Sequence, residues 1–264
     1  MATKPTKRQI DEAKDFLRQR LAAEASMIDN LQNVMEKAAR DIVEISCRYN
    51  IPPRLFRFSA NKSLEKEVDE VIRWLKSLIL DYIYTLAVAS HNEDSDGIIA
   101  YITRDIAGKT LLQRTDIYTS RFKYEIEAAI AAGLILGIGE RELSNSIKSN
   151  LKAPYSNPYI ADVIKQGGGY AATRLQTKGI NYGAGHSTSM FTSLKNVSVY
   201  AVAEGWSFFS LSEARKKGAT GFYTFRGSSY PCRTCDEYTR ILHPLSDPLP
   251  PLHLNCVCGT VFVF

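Results

Sequence analysis

Cysteine is scarce in this chain: there are five among 264 residues, and four of them fall between Cys232 and Cys258. Stability alone does not call for them, because a chain of this length buries a substantial core without covalent staples. Long apolar runs are missing too. The longest, "LILDYIYTLAVA" and "AAIAAGLILGIG", are too short or too polar to span a bilayer, which takes roughly 20 apolar residues. The N-terminus "MATKPTKRQIDEAKDF" carries charge where a secretory leader has its apolar core, so a reducing cytosol is the expected setting. Charge of one sign is not in excess: 33 basic and 28 acidic residues are interleaved, for a net +5. That argues against the concentrated basic face of a dedicated nucleic-acid binder. There are no internal repeats. The glycine-rich segment 165–186 lacks the strand-to-helix context and the Lys-Ser/Thr of a phosphate cradle, and reads as a loop around a helix bearing Arg174, with His186 at the surface.

What is present is the balance of a globular protein, 45% hydrophobic and 23% charged. Ile10, Leu17, Leu31, Ala38 and Ile45, interleaved with Leu21, Ile28, Met35 and Ile42, predict one long coiled-coil-like helix over the first fifty residues. Only Lys14 and Glu24 interrupt that seam, and the same pattern fits an amphipathic helix lying on its own domain. "NIPP" (50–53) ends it, since proline withholds a backbone donor.

A second helix is expected over 63–89 and another over 98–106, with the acidic "HNEDSDG" (91–97) as a solvated loop or helix start. Phe122, Ile126, Ile130 and Leu134 mark a helix closed by Gly133, Gly137 and Gly139, and Glu140 opens a shorter one through Leu143, Ile147 and Leu151. The segment "STSMFTSLKNVSVYAVAEGW" is read as helix with some extended backbone, and "GFYTFRGSSYPC" as a strand. The fold class is therefore mainly α (α+β): long N-terminal helices, a helical domain, and a small irregular Cys/His-rich module with short strands. The expected division is 1–108 as a helical N-terminal region and 109–264 as a second domain ending in the module 221–264.

The candidate site is C-x2-C-x17-H-x2-C-x-C: Cys232, Cys235, His253, Cys256 and Cys258. Thiolate and imidazole donors suit Zn²⁺, and no carboxylate cage for Mg²⁺ or Ca²⁺ accompanies them. Five donors exceed a tetrahedral shell by one, so four cysteines are the first choice and three cysteines with His253 the second; His243 is a weaker candidate. A shell filled by protein leaves no position for water, which makes the expected zinc structural. Two disulfides or free thiols are the alternatives. Cys47 reads as an ordinary small buried residue.

The stretch "PCRTCDEYTRILHPLSDPLPPLHLNCVC" resembles the C-terminal signature of phage Mu F-like minor head proteins, the phage head morphogenesis family. The matching residues are Cys232 and Cys235, then Pro250, Pro251 and His253, then Asn255, Cys256 and Cys258. That family often has arginine between the last two cysteines; here the residue is Val257. The likeness extends loosely over 110–264. It implies a virion protein without catalysis: a low-copy minor capsid component inside the head or at the portal vertex, made in the host cytoplasm. Its partners would be portal, capsid or scaffold proteins in a large assembly, and its roles head assembly, genome packaging or DNA delivery, with weak contact to packaged DNA through scattered Lys and Arg. From another class, His253 and Asn255 with His243 and Asp247 suggest a metal-dependent nuclease of compact His/Asn type. A third reading, an oxidoreductase using Cys232 and Cys235, needs an alternating strand and helix pattern that the sequence lacks.

Overall fold

Helix α1 runs from Lys7 to Cys47 in a computed structural model that describes residues 5–89, 95–153, 158–166, 189–239 and 241–264. Thr6 and Gln9 open it with a reciprocal cap: the Gln9 N–H donates to Thr6 Oγ1 at 3.3 Å, and the Thr6 N–H to Gln9 Oε1 at 2.8 Å. Its buried stripe runs through Leu17, Arg20, Glu24, Met27, Leu31, Met35, Ala38, Ile42 and Ile45. The chain itself covers that stripe, so no second coiled-coil strand is required, and the amphipathic alternative holds. Pro52 and Pro53 follow within the turn that carries the chain to α2.

Among the described residues the remaining helices are α2 (Lys62–Val88), α3 (Ser95–Thr103), α4 (Leu111–Ile135), α5 (Glu140–Ser149), α6 (Pro158–Gln166), α7 (Met190–Lys216) and α8 (Arg233–Tyr238). Asn61 caps α2, its Oδ1 accepting the Ser63 N–H at 2.9 Å and the Leu64 N–H at 3.2 Å. Gly137 adopts φ +72 just past α4; Ile138 N–H reaches the Gly133 carbonyl and Gly137 N–H that of Leu134, a Schellman closure. Helix α7 is continuous, with no extended backbone inside it. Intrahelical hydrogen bonding prevails there over its β-branched content. The described residues contain one sheet, β1 (Gly221–Phe225) paired antiparallel with β2 (Gly259–Val263) in the register Gly221↔Val263 to Phe225↔Gly259. The architecture is mainly helical, as expected. The sequence readings of 91–94, of the segment around Arg174 and of His186 lie outside the described residues.

Two compact units interleave along the chain, and both take segments from either side of residue 108. The first comprises Met1–Asp29, Asp81–Leu112 and Asn196–Phe264; the second comprises Asn30–Leu80 and Gln113–Lys195. In the first unit, Phe16 meets Trp206 with ring centroids 5.3 Å apart, Trp206 Nε1 donates to the Leu86 carbonyl at 2.9 Å, and Arg104 pairs with Glu204 at 2.7 Å. In the second, Phe122, Ile126, Ile130, Leu143 and Ile147 form one core, and the buried Glu127 carboxylate accepts the Phe58 N–H at 2.6 Å. No helix of the described residues is long and apolar enough to cross a membrane.

Candidate metal centre

All five predicted donors come together in the first unit. After β1 the chain passes Gly227 and reaches Cys232, which is the N-cap residue of α8 in extended conformation, with φ −146 and ψ 106. The Cys232 side chain makes no capping hydrogen bond, which leaves its sulfur to the cluster. Cys235 follows in the first turn, so the C-x2-C pair opens a short helix. A strand and then a C-x2-C helix is locally what an oxidoreductase motif shows, but here the strand's partner is antiparallel and further sulfurs surround the pair.

The second limb starts at the proline-rich loop, and α7 braces that loop through its carbonyls. Ser207 Oγ donates to Pro250 O, Tyr200 OH to Pro251 O at 3.5 Å, and Arg215 Nη2 to Leu245 O at 3.0 Å. The Pro250–Pro251 peptide is cis. Asn255 adopts φ +61, a left-handed conformation that asparagine tolerates better than most residues, and the chain turns there so that the Cys256 N–H reaches His253 O at 3.1 Å. Cys256 and Cys258 are two apart where the chain runs into β2, and extended backbone sends alternate side chains to one side. Gly227 lies so close to this limb that a Cβ there would stand 1.9 Å from the Val257 carbonyl oxygen.

The donor atoms form two overlapping groups that share Cys235. One is Cys232, Cys235 and His253; the other is Cys235, Cys256 and Cys258; within each, all atoms lie within 4.8 Å of one another. His253 Nε2 stands 3.2 Å from Cys232 Sγ and 3.1 Å from Cys235 Sγ, and Cys235 Sγ lies 3.8 Å from Cys256 Sγ. None of the five cysteines is joined in a disulfide. A tetrahedral ion with metal–sulfur bonds of about 2.3 Å sets its sulfurs about 3.8 Å apart, so the Cys235–Cys256 edge already fits. The imidazole edges are shorter than the roughly 3.6 Å such an ion would set, and the ring would move outward by a few tenths of an ångström. Neither group contains a carboxylate. Sulfur and imidazole together can hold a metal ion.

His253 Nδ1 lies 2.8 Å from the Leu254 carbonyl. A carbonyl only accepts, so that nitrogen carries the proton and Nε2 presents its lone pair to the sulfurs, as in metal-ligating histidines. The same carbonyl raises the His253 pKa, and the thiolates of Cys256 and Cys232 add to the effect. Without an ion the thiols share protons unequally. The Cys256 thiol is lowered to about 4 by hydrogen bonds, chiefly from Cys258, while Cys258 is raised by the same contact and by burial. Burial pushes Cys235 up to about 11, and the Cys235 backbone N–H lowers Cys232.

His243 lies outside the cluster. It is 2% exposed, its ring stacked at 3.8 Å on Tyr238 and at 5.1 Å on Phe222, with Nδ1 3.0 Å from Asp247 and Nε2 2.8 Å from the Tyr238 carbonyl. Both nitrogens are engaged, and its backbone pairs with Phe222 in both directions at 2.9 Å, so it anchors the loop to β1. Cys47 is half-buried on α1 and belongs to neither donor group.

Sequence reading marked Glu24 as an interruption of the seam and missed Arg20. Arg20 is 3% exposed and its Nη2 donates to the Cys256 carbonyl at 3.3 Å; Arg20 Nε and Glu24 Oε1 stand 3.0 Å apart. Burial raises Glu24 to about 6, against the opposing pull of Arg20. The ion pair itself left a signal, opposite charges four residues apart, flanked on the same face by Leu17, Met27 and Leu31; the contact with Cys256 left none. No family model, no curated protein and no solved structure matches the chain.

Proposed function

We propose that this chain is a non-enzymatic minor structural protein of a phage head, of the Mu F-like kind, whose C-terminal module is ordered by one Zn²⁺. The observation that carries the reading is that the two signature segments, 230 residues into the chain and 21 residues apart at Cys235 and Cys256, converge on one point. Five of the eight residues on which the family likeness rests therefore form the cluster. Cys232, Cys235, His253 and Cys256 are the preferred ligands. This set takes in the 3.8 Å sulfur edge and the oriented imidazole, and leaves the Cys258 thiol to donate a hydrogen bond to Cys256. Such a shell is closed, so the ion supplies folding energy, on the order of 10 kcal/mol at neutral pH, and no reactive position.

The ordered module then serves as a docking element for portal, capsid or scaffold subunits within the virion. Contact with packaged DNA is weak and salt-dependent. Elemental analysis with thiol counting tests the ion: one zinc per chain is expected, retained by Cys258→Ala and lost by Cys235→Ser. Protein free of metal that gains no stability from added zinc refutes the metal reading. Mass spectrometry of purified particles tests the location; a chain confined to non-particle fractions of an infected lysate refutes the head assignment.

A further inference from the structure

Buried charges require partners, and the pair on α1 is incompletely served. Arg20 Nε and Glu24 Oε1 are both shut off from solvent, and although 3.0 Å apart they are off the line needed for a hydrogen bond. The polar contact that Arg20 does complete is to the cluster, from Nη2 to the carbonyl of Cys256, 236 residues away in sequence. A buried guanidinium is costly unless negative charge lies close by. A divalent ion bound by three thiolates and one imidazole carries a net charge of −1, and four thiolates would carry −2. Either centre gives Arg20 the counter-charge that Glu24 alone supplies poorly. Another cation near the sulfurs, Arg226, is already taken up by Asp236 and the Tyr230 carbonyl.

We infer that Arg20 and Glu24 form the outer coordination sphere of the metal centre and set its affinity through their charges. Arg20 is the positioning residue: it holds the Cys256–Cys258 limb by its carbonyl, and its buried positive charge favours an anionic metal–thiolate centre. Glu24 opposes it, as a negative charge beside a negative centre. The N-terminal helix is thus coupled to a site whose donors all lie in the C-terminal module. This inference rests on the metal reading above and adds residues which that reading does not use.

The test is Co²⁺ and Zn²⁺ affinity, by chelator competition at pH 7.5, of the full chain and of the variants Arg20→Met, Arg20→Lys and Glu24→Gln. Outer-sphere changes of this kind shift metal affinity by about 10- to 100-fold. Arg20→Met is expected to weaken binding by that amount, and Arg20→Lys, which keeps the charge, to recover most of it. Glu24→Gln is expected to tighten binding by about tenfold, since it removes a like charge while the cation stays. The cobalt charge-transfer bands stay unchanged throughout, because no donor is replaced. The opposite signs are decisive. A role in packing alone would weaken binding in both Arg20→Met and Glu24→Gln, and that result overturns the inference, as do equal affinities in all variants. If Arg20→Met does not fold, the sign for Glu24→Gln still decides. Wild-type protein that takes up neither ion refutes the metal reading itself, a separate outcome.

Discussion

Alanine at Gly227 places a methyl carbon 1.9 Å from the Val257 carbonyl oxygen and 3.1 Å from Leu17 Cδ2. Real Cβ atoms essentially never approach within 3.0 Å, so the backbone at Val257 must retreat by about 1.1 Å. No side chain can swing aside to relieve the clash, because the obstructing atom is main chain. Val257 lies between Cys256 and Cys258, and metal–ligand distances tolerate only about 0.2 Å, so the retreat pulls at least one donor out of place. Overpacking of a core costs about 1–3 kcal/mol, and a clash against backbone belongs at the upper end of that range. A loss of about 3 kcal/mol lowers the melting temperature by roughly 6–12 °C in a chain of this size. The assay is thermal unfolding at saturating zinc, with a parallel chelator competition, in which affinity should fall by at least tenfold. A variant that melts within about 1 °C of wild type and binds zinc equally well refutes the claimed apposition of these two backbones.

Two further outcomes follow from the same module. His243→Leu removes the acceptor-facing ring that ties Asp247 and the Tyr238 carbonyl together, and should cost about 2–3 kcal/mol in urea unfolding while metal stoichiometry stays at one per chain. Loss of the ion in that variant would show that His243 belongs to the shell after all. Tyr238 is raised to about 12, first by burial and then by Asp247, so the unfolded chain releases this proton before the folded one does. Stability should therefore fall as pH climbs from about 10 towards 12, and difference absorbance between wild type and Tyr238→Phe should show a late-titrating phenol. Ionisation of that phenol near the ordinary tyrosine value would contradict its placement.

The long helices α1, α2 and α4 were legible because their apolar residues recur at helical spacing over many turns, a signal that does not depend on distant partners. The donors were legible for a similar reason: C-x2-C and H-x2-C-x-C are local patterns. Strand β2 was not, since "GTVFV" alternates only weakly and owes its form to pairing with β1, 38 residues earlier between Gly221 and Gly259. Helix α8 has six residues, too few for a periodic pattern. Arg20 was invisible as a participant because its partner is a backbone carbonyl at the far end of the chain, and backbone carbonyls leave no mark on the residue type. Glu24, by contrast, announced itself as a flaw in an apolar seam, and the flaw turned out to be a buried ion pair. The two interleaved units were equally hidden, because contiguity in sequence says nothing about which segments pack.

That interleaving has a consequence for the order in which the molecule is built. Every segment of the second unit precedes residue 196, so on a ribosome it can begin to fold while the module that holds the cysteines has not yet been made. The first unit has no such freedom. Arg20 emerges early and must wait more than two hundred residues for the carbonyl it grasps. Until then a charged pair lies uncovered on the emerging helix, keeping that apolar stripe wet and giving nascent chains a polar interruption against premature association.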